Sequence, residues 1–339
     1  MQISYKDGVR IRISGKTILL DSRKDDNGDI IFISHAHDDH TLFKDTPVPK
    51  ICSEATLRLV QYRRRLKMQN TITQPEFQFD GISFKQLNSG HIIGSTSLLI
   101  KKEQKTIFYT GDICNLDRFH IKKADLPEAD ILIMESSYGR PNYVFPGFEK
   151  IIKDTKSWIK KSLESGSSVC LTGYVLGKAQ ILTKMIEDFD CLKIFQPNIL
   201  NMNSICESFG FQQSNIPMIP SQLKKDRASE KFISIFPHFS EKYRIFKNSK
   251  NPIKKAAFTG WSINPMFKYA AQVDEAFPLS DHADYRGLIE IVEKVNPEKV
   301  FPVHGYSATF SKILREEHGF DSQFLLRRDQ ARLTQFLKD

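Results

Sequence analysis

The sequence Ile30-Ile31-Phe32-Ile33-Ser34-His35-Ala36-His37-Asp38-Asp39-His40 decides how the rest of the chain is interpreted. Its first four residues are β-branched or aromatic, which predicts a short buried strand. Three histidines and two aspartates follow within six residues. Packing does not require such a density of polar groups, and loops at strand ends commonly carry chemistry. The segment therefore predicts a functional site at the rim of a sheet.

The spacing of these side chains is typical of metal ligands. His35 and His37 lie two residues apart and can reach one metal ion, whereas Asp39 and His40 turn towards a second. Imidazole nitrogens with a few carboxylates suit zinc better than magnesium or calcium, which prefer oxygen ligands. The alternative is a solvated loop with chance histidines. Three of the chain's nine histidines lie here, which disfavours that alternative.

The composition sets the class of protein and its expected partners. With 339 residues, 40% of them hydrophobic and 26% charged, the chain can bury a large core in one big domain or two moderate ones. We expect no membrane partner and a cytoplasmic location, because the apolar stretches are short and the first residues do not resemble a signal peptide. The formal charge of +9 favours nucleic acid as a partner, although basic composition can also serve solubility. Five scattered cysteines without a C-x-x-C pair argue against a disulfide framework.

Further apolar runs also end in polar side chains. These strand-end residues are Asp21, His91, Asp112, Glu135, His282 and His304. Site residues gather at one edge of a sheet, so the repetition predicts the face of an α/β hydrolase. Asp112 is the best candidate for a carboxylate that bridges two metal ions. Asp21 either orients a metal-bound histidine or caps a turn.

From about Asn142 the pattern changes to alternating strands and helices. Phe148–Glu164 predicts an amphipathic helix, Ser168–Thr172 a strand and Gly177–Ile186 a second helix, which is typical of an inserted parallel module. Lys178 does not belong to a Walker A loop, because Ala179 replaces its Ser/Thr. At a helix amino end, Lys178 can still hold a substrate phosphate.

Basic residues also end the helix predicted after Ser53. Arg63 and Arg64 lie near its carboxyl end. They either contact phosphates or form a solvated face that complements the helix dipole.

Taken in order, the motifs H-x-H-x-D-H, Gly90-His91, Gly111-Asp112, Glu135–Gly139, Ser280–Asp284 and Val303–Gly305 resemble those of the β-CASP branch of the metallo-β-lactamase superfamily, a group of nucleases. The segments from Glu135 and Tyr174 look most like the ligase-associated DNA exonucleases. The resemblance implies an α/β fold: a metallo-β-lactamase αββα sandwich formed by residues 1–143 and 272–339, with a compact β-CASP α/β cap inserted at 144–271.

The resemblance also implies roles for the strand-end residues. One Zn²⁺ would take His35, His37 and His91, and the other Asp39, His40 and His304, with Asp112 between them. Asp21 would steady the histidines, while Glu135 and His282 would be the nuclease-specific catalytic pair beside Asp39. The implied cofactors are two Zn²⁺ ions, with Mn²⁺ as the alternative.

The implied function is hydrolysis of nucleic-acid phosphodiesters by a hydroxide formed between two zinc ions. The compact insert favours a DNA exonuclease acting on single-stranded ends in DNA repair, with a DNA ligase or helicase as partner. The alternative is an RNA-processing ribonuclease, RNase J-like or 3′-end-processing-like, in exo or endo mode. A silent scaffold subunit is disfavoured because none of the seven ligands is missing. A small-molecule hydrolase is disfavoured because it would have no use for Glu135 and His282.

Overall fold

The structure is a computed structural model that describes residues 1–214, 217–222, 228–237 and 249–325. The chain forms two compact units. The first contains Met1–Asp117, Ile121–Asn142 and the described residues from His282 onward, and the second contains Arg118–His120 and Tyr143–Asp281. The domain boundaries expected from the sequence stay a prediction. In the structure, residues 272–281 lie in the second unit, where a strand among them extends that unit's sheet.

The first unit contains two six-stranded sheets. In the first sheet the strands follow the order β1-β2-β3-β4-β5-β6, antiparallel from β1 to β3 and parallel from β3 to β6. Its strands are β1 (Gln2–Tyr5), β2 (Val9–Ile13), β3 (Lys16–Leu20), β4 (Ile30–Phe32), β5 (Lys50–Ile51) and β6 (Thr71–Ile72). The strand predicted before the histidines is therefore present as β4.

The second sheet follows the order β17-β11-β10-β9-β8-β7. β17, β11 and β10 are mutually parallel, and β10, β9, β8 and β7 pair antiparallel. Its strands are β7 (Glu76–Phe79), β8 (Ile82–Asn88), β9 (Thr96–Lys102), β10 (Lys105–Tyr109), β11 (Ile131–Glu135) and β17 (Lys299–Val303). Two antiparallel steps separate β8 from β10, so β8, β10, β11 and β17 all run in the same direction.

The inner faces of the two sheets form one apolar core. Phe32 and Ile18 of the first sheet pack with Phe84, Ile100 and Ile133 of the second, each with at most 1% of its surface exposed. Complete burial of one such side chain contributes roughly 1.5–3 kcal/mol. This core fixes the positions of the strand ends that carry the polar side chains.

Three helices complete the first unit. α6 and α7 pack on the second sheet through a separate apolar cluster that contains Leu288, Val292 and Phe310. The Ser53 side chain caps the amino end of α1 by accepting a hydrogen bond from the Thr56 amide. The helices are α1 (Glu54–Arg64), α6 (Tyr285–Val295) and α7 (Ser307–Glu316).

The second unit is a parallel α/β structure. Its sheet has the order β13-β14-β12-β15-β16, with every pair parallel. Its strands are β12 (Ser168–Thr172), β13 (Leu192–Phe195), β14 (Phe232–Phe236), β15 (Ile253–Phe258) and β16 (Glu275–Phe277). Its helices are α2 (Phe148–Glu164), α3 (Lys178–Met185), α4 (Pro197–Glu207) and α5 (Phe267–Ala270), with short 3₁₀ helices at Pro220–Gln222 and Gly260–Ile263. No helix in the described part of the chain is both long and apolar enough to cross a membrane.

Candidate metal centre

Asp21 is the anchor of the cluster. It follows β3 with φ of +49° and is 3% exposed. A left-handed conformation is costly for a residue with a side chain, and such strain concentrates at functional sites. The Asp21 carboxylate accepts hydrogen bonds from the Ser34 amide (2.7 Å) and hydroxyl (2.5 Å), from His40 Nδ1 (2.8 Å) and from the Tyr109 hydroxyl (2.8 Å). These contacts hold the loop after β4 against the end of β3.

The contacts of Asp21 set the proton positions on two histidines. The Ser34 hydroxyl donates to Asp21, so it accepts from His35 Nδ1 at 2.9 Å. His40 Nδ1 donates directly to the carboxylate. Because Nδ1 is occupied in this way, each ring turns its Nε2 towards the cluster, which is the orientation that metal-binding imidazoles need.

His35, His37 and His91 bring their nitrogens together. His37 Nδ1 lies 3.0 Å from His35 Nε2 and 3.2 Å from His91 Nε2. Asp112 Oδ2 completes the group at 3.4 Å from His35 Nε2 and 3.6 Å from His91 Nε2. Four ligands around one tetrahedral zinc, with Zn–N near 2.0–2.1 Å, lie about 3.3–3.4 Å apart. The measured separations match a single four-coordinate cation.

A second group forms around His40. Its Nε2 lies 3.5 Å from Asp112 Oδ1 and 3.6 Å from Asp39 Oδ2. The His304 ring follows β17, with its centroid 5.3 Å from that of His40. The two oxygens of Asp112 thus face the two groups separately.

The electrostatics of these groups favour bound positive charge. Burial acts to lower the pKa of His40, but the carboxylates of Asp112 and Asp21 outweigh it and raise that pKa to about 10. Burial raises the pKa of Asp112, and Glu135 raises it further against the opposing effect of His40. Burial also lowers the pKa of His35, followed by the effect of the neighbouring His40. Buried carboxylates that stabilise a proton this strongly will also stabilise a cation.

Two glycines allow the backbone to approach closely beside ligand candidates. Gly90, before His91, has φ of +70°, and a Cβ there would lie 2.3 Å from the Cys114 carbonyl oxygen. Gly305, after His304, has φ of +53°, and a Cβ would lie 2.4 Å from the Ser136 carbonyl oxygen. Neither position has room for a side chain.

Glu135 and His282 form a pair beside the cluster. His282 Nδ1 lies 2.9 Å from both oxygens of Glu135, and its Nε2 lies 4.0 Å from Asp112 Oδ2. Glu135 is 1% exposed and also accepts the Ile113 amide at 2.7 Å. Burial acts to raise the pKa of Glu135, but the adjacent His282 lowers it below its ordinary value. The carboxylate therefore stays ionised and stabilises the protonated form of His282.

The remaining predicted contacts lie elsewhere. Arg63 and Arg64 are half-buried and approach Asp38, with Arg63 Nη2 2.9 Å and Arg64 Nη1 3.7 Å from its carboxylate. Lys178 differs from the expectation: it is 2% exposed, and its ammonium contacts Asp281 at 2.5 Å inside the second unit. Its charge is already neutralised away from solvent, so we do not retain it as a phosphate contact.

Two residues of the site have roles that no sequence pattern indicates. Ser34 connects Asp21 to His35, and Tyr109 at the end of β10 donates to Asp21. The burial of Tyr109 raises its pKa, and Asp21 adds to the increase, so the phenol stays protonated as a donor. Their roles follow only from the hydrogen bonds that the fold creates.

The donor set fits a divalent cation. Four candidate ligand atoms of His35, His37, His91 and Asp112 lie within 4.8 Å of one another, mostly on buried side chains. His35 Nε2 and His37 Nδ1 lie 3.0 Å apart, a separation that a shared cation also allows. The fold and this cluster together define an α/β protein with a candidate site for a divalent metal ion.

Comparisons with known proteins agree with that class. Residues 270–323 match the family model "Zn-dependent metallo-hydrolase RNA specificity domain". The chain is similar to a probable DNA ligase of Opitutus terrae (31% identity, 84% of this chain, 28% of that protein) and to an RNase J-like protein of Methanocaldococcus jannaschii (23% identity, 82% of this chain, 81% of that protein). A structure of a protein of unknown function from Enterococcus faecalis V583 superimposes with a TM-score of 0.64, at 14% identity, over 96% of this chain and 97% of that one.

These similarities support the chain's membership of the β-CASP branch of the metallo-β-lactamase-fold proteins. Its fold class is α/β, with the metallo-β-lactamase αββα sandwich and the inserted β-CASP α/β domain expected from the sequence. The chain spans little more than a quarter of the length of the Opitutus protein.

Proposed function

We propose that this protein is a metal-dependent nuclease, and that its preferred substrate is a single-stranded DNA end, which it degrades as an exonuclease during DNA repair. The pair formed by Glu135 and His282 carries this proposal. A lactamase or thioesterase site has no need of an imidazole held by a buried carboxylate 4.0 Å from the Asp112 oxygen. A phosphodiester does need it, because its leaving oxygen must acquire a proton.

The cofactors we propose are two Zn²⁺ ions, with Mn²⁺ as the alternative. His35, His37 and His91 would hold one ion, Asp39, His40 and His304 the other, and Asp112 would contact both. Bound there, the ions would polarise the phosphoryl oxygens and activate a water molecule for in-line attack. Asp21 orients His40 directly and His35 through Ser34, so the ligands need little reorganisation when metal binds.

His282 then acts as the general acid. Glu135 holds its Nδ1–H and favours the protonated ring, which leaves Nε2–H pointing towards the region beside Asp112. A proton given from Nε2 to the departing oxygen neutralises the charge that develops when the P–O bond breaks. Such acid catalysis typically contributes about 10²- to 10⁴-fold.

A second candidate is a ribonuclease with the same catalytic groups. The match of residues 270–323 to a domain described by RNA specificity, together with the similarity to an RNase J-like protein, favours it. The two candidates differ in the sugar they must accept, because only RNA offers a 2′-hydroxyl.

One experiment separates the two candidates. End-labelled single strands of identical sequence, as DNA and as RNA, are digested side by side with either end labelled and with Zn²⁺ or Mn²⁺ supplied. We expect mononucleotides released progressively from the DNA and slower cleavage of the RNA. Faster cleavage of RNA would assign the ribonuclease function, and internal fragments from the start would assign an endonuclease. Cleavage of neither strand would contradict a nuclease function.

A further inference from the structure

An exposed aromatic ring lies directly after the metal-binding motif. Phe43 follows His40 by three residues and is 51% exposed. Its backbone is held on one side, where its amide donates to the Arg23 carbonyl oxygen at 3.1 Å. On the other side, Arg64 Nη2 reaches the Leu42 carbonyl oxygen at 3.5 Å. The ring is therefore presented to solvent by an anchored loop.

Two guanidinium groups accompany this ring. The Arg23 guanidinium carbon lies 4.2 Å from the ring centroid, and that of Arg64 lies 5.8 Å away. Both distances fall within the range of cation–π contacts, which extends to about 6 Å. A single exposed phenylalanine is common on protein surfaces. A phenylalanine flanked by two guanidinium groups instead forms a combined aromatic and cationic surface. We call Arg23, Phe43 and Arg64 the Phe43 patch.

The Phe43 patch continues into further positive charge. Arg63 lies next to Arg64, and both approach the side chain of Asp38, which is 59% exposed. Two guanidinium groups thus face one carboxylate. Ion pairs between exposed side chains are weak, so a phosphate can compete with Asp38 for these arginines.

The position of the Phe43 patch restricts what can occupy it. Three residues of chain span at most about 11 Å, so Phe43 lies within that distance of His40, measured between Cα atoms. A ligand whose phosphodiester reaches the metal centre would place an adjacent nucleotide near the ring. Aromatic rings combined with cationic side chains are the usual means of binding single strands, because every base has a π-face. The bases of a duplex are stacked and cannot reach such a ring.

We propose that the Phe43 patch is a binding subsite that stacks one nucleobase of a single-stranded substrate near the scissile phosphodiester, with Arg23, Arg63 and Arg64 contacting the backbone phosphates. The proposal rests on the proposed nuclease function and adds a reason for a preference for single strands. It also assigns the backbone phosphates of the substrate as partners of Arg63 and Arg64.

The direct test measures binding rather than cleavage. Fluorescence anisotropy follows labelled single strands of DNA and of RNA, each bearing one abasic site at a different position, in the His282→Ala background. Stacking on an aromatic side chain contributes roughly 5- to 150-fold in affinity. We expect an abasic site at one position to weaken binding by such a factor. With Phe43→Leu added, intact strands should bind more weakly and that position should lose its effect, whereas Phe43→Trp should preserve both.

Matched controls separate this subsite from general surface effects. Phe79 has Lys16 over its ring at 5.6 Å and lies at the opposite ends of the strands from the metal ligands, so Phe79→Leu should bind like the parent. Arg23→Gln should reduce the slope of log affinity against log salt by about 1. Arg12→Gln, an exposed residue of β2, should leave that slope unchanged.

Three results would overturn the proposal: equal affinity of Phe43→Leu and parent, an abasic penalty that persists in Phe43→Leu, or an equal loss in Phe79→Leu. Failure of the nuclease function itself is seen separately, as the absence of cleavage of DNA, RNA and bis(p-nitrophenyl) phosphate by the parent protein. The binding measurements still decide the role of the Phe43 patch in that case. If an abasic site weakens binding at the same position in DNA and in RNA, the subsite recognises the base and not the sugar.

Discussion

Replacing Glu135 with glutamine tests the assignment of His282 as the acid. The variant keeps the size of the side chain and one oxygen for the Ile113 amide, which now binds Oε1 at 2.7 Å. It removes the negative charge that contacts His282 Nδ1 at 2.9 Å. The imidazole then loses its orienting acceptor and its preference for the protonated form.

The expected loss follows from that contact. A hydrogen bond to a charged group contributes about 1.5–3 kcal/mol, so kcat for oligonucleotide cleavage should fall roughly 10- to 150-fold. His282→Ala removes the acid completely and should cost about 10²- to 10⁴-fold. Both variants should bind metal like the parent, because neither residue belongs to the proposed ligand set.

The informative assay compares leaving groups. A p-nitrophenyl ester of thymidine 5′-phosphate expels a stable phenolate that needs no proton, whereas a dinucleotide expels a basic alkoxide. We expect the defects of Glu135→Gln and His282→Ala to be large on the dinucleotide and small on the nitrophenyl ester. Equal defects on the two substrates, or parental rates with the dinucleotide, would refute the acid role.

Three further predictions concern the metal, the backbone and pH. Asp112→Ala should lose both bound metal, measured by mass spectrometry, and cleavage, because its two oxygens face both groups of histidines; full metal content would contradict its bridging position. Gly305→Ala should lower the free energy of unfolding in urea by about 2 kcal/mol or more, since its Cβ would lie 2.4 Å from a backbone oxygen. At Gly15, φ is +76° and an added Cβ would have no atom within 4 Å, so Gly15→Ala should lower the free energy of unfolding only by the backbone strain. Equal losses of free energy in the two variants would show that the close contact at Gly305 is unimportant. Burial lowers the pKa of His120 from 6.5 to about 4. Between these pH values the unfolded chain binds more protons than the folded chain. The free energy of unfolding should therefore fall with decreasing pH, by at most about 1.4 kcal/mol per pH unit. His120→Phe should flatten this part of the profile in urea denaturation, and an unchanged slope would show that the histidine is not buried in its neutral form.

Much of the site could be anticipated because local sequence determines where strands end. The apolar run Ile30–Ile33 predicts β4 and places His35 at its carboxyl end, where the structure has it. The same reasoning applies to Asp112 after β10 and His304 after β17. Helix α2 and strand β12 have the predicted bounds, because amphipathic spacing and β-branched runs are local signals.

What the sequence could not supply depends on contacts between distant segments. Lys178 was a reasonable phosphate contact at a helix amino end, but its partner Asp281 lies 103 residues further along the chain. Tyr109 reaches Asp21 across 88 residues, and no local pattern marks it as a donor. The cation–π contacts of Phe43 likewise need Arg23 and Arg64 to meet in the fold. Pairings of this kind follow from tertiary packing and not from periodicity.

Titration of the metal-free protein with Zn²⁺ shows whether cleavage depends on two bound ions, when bound metal and cleavage of an end-labelled single strand are followed in the same samples. The geometry of the two histidine groups around Asp112 predicts that cleavage rises to its maximum as the second equivalent binds. A protein that binds two equivalents and cleaves neither DNA nor RNA, or one that cleaves at its full rate without metal, would contradict the account.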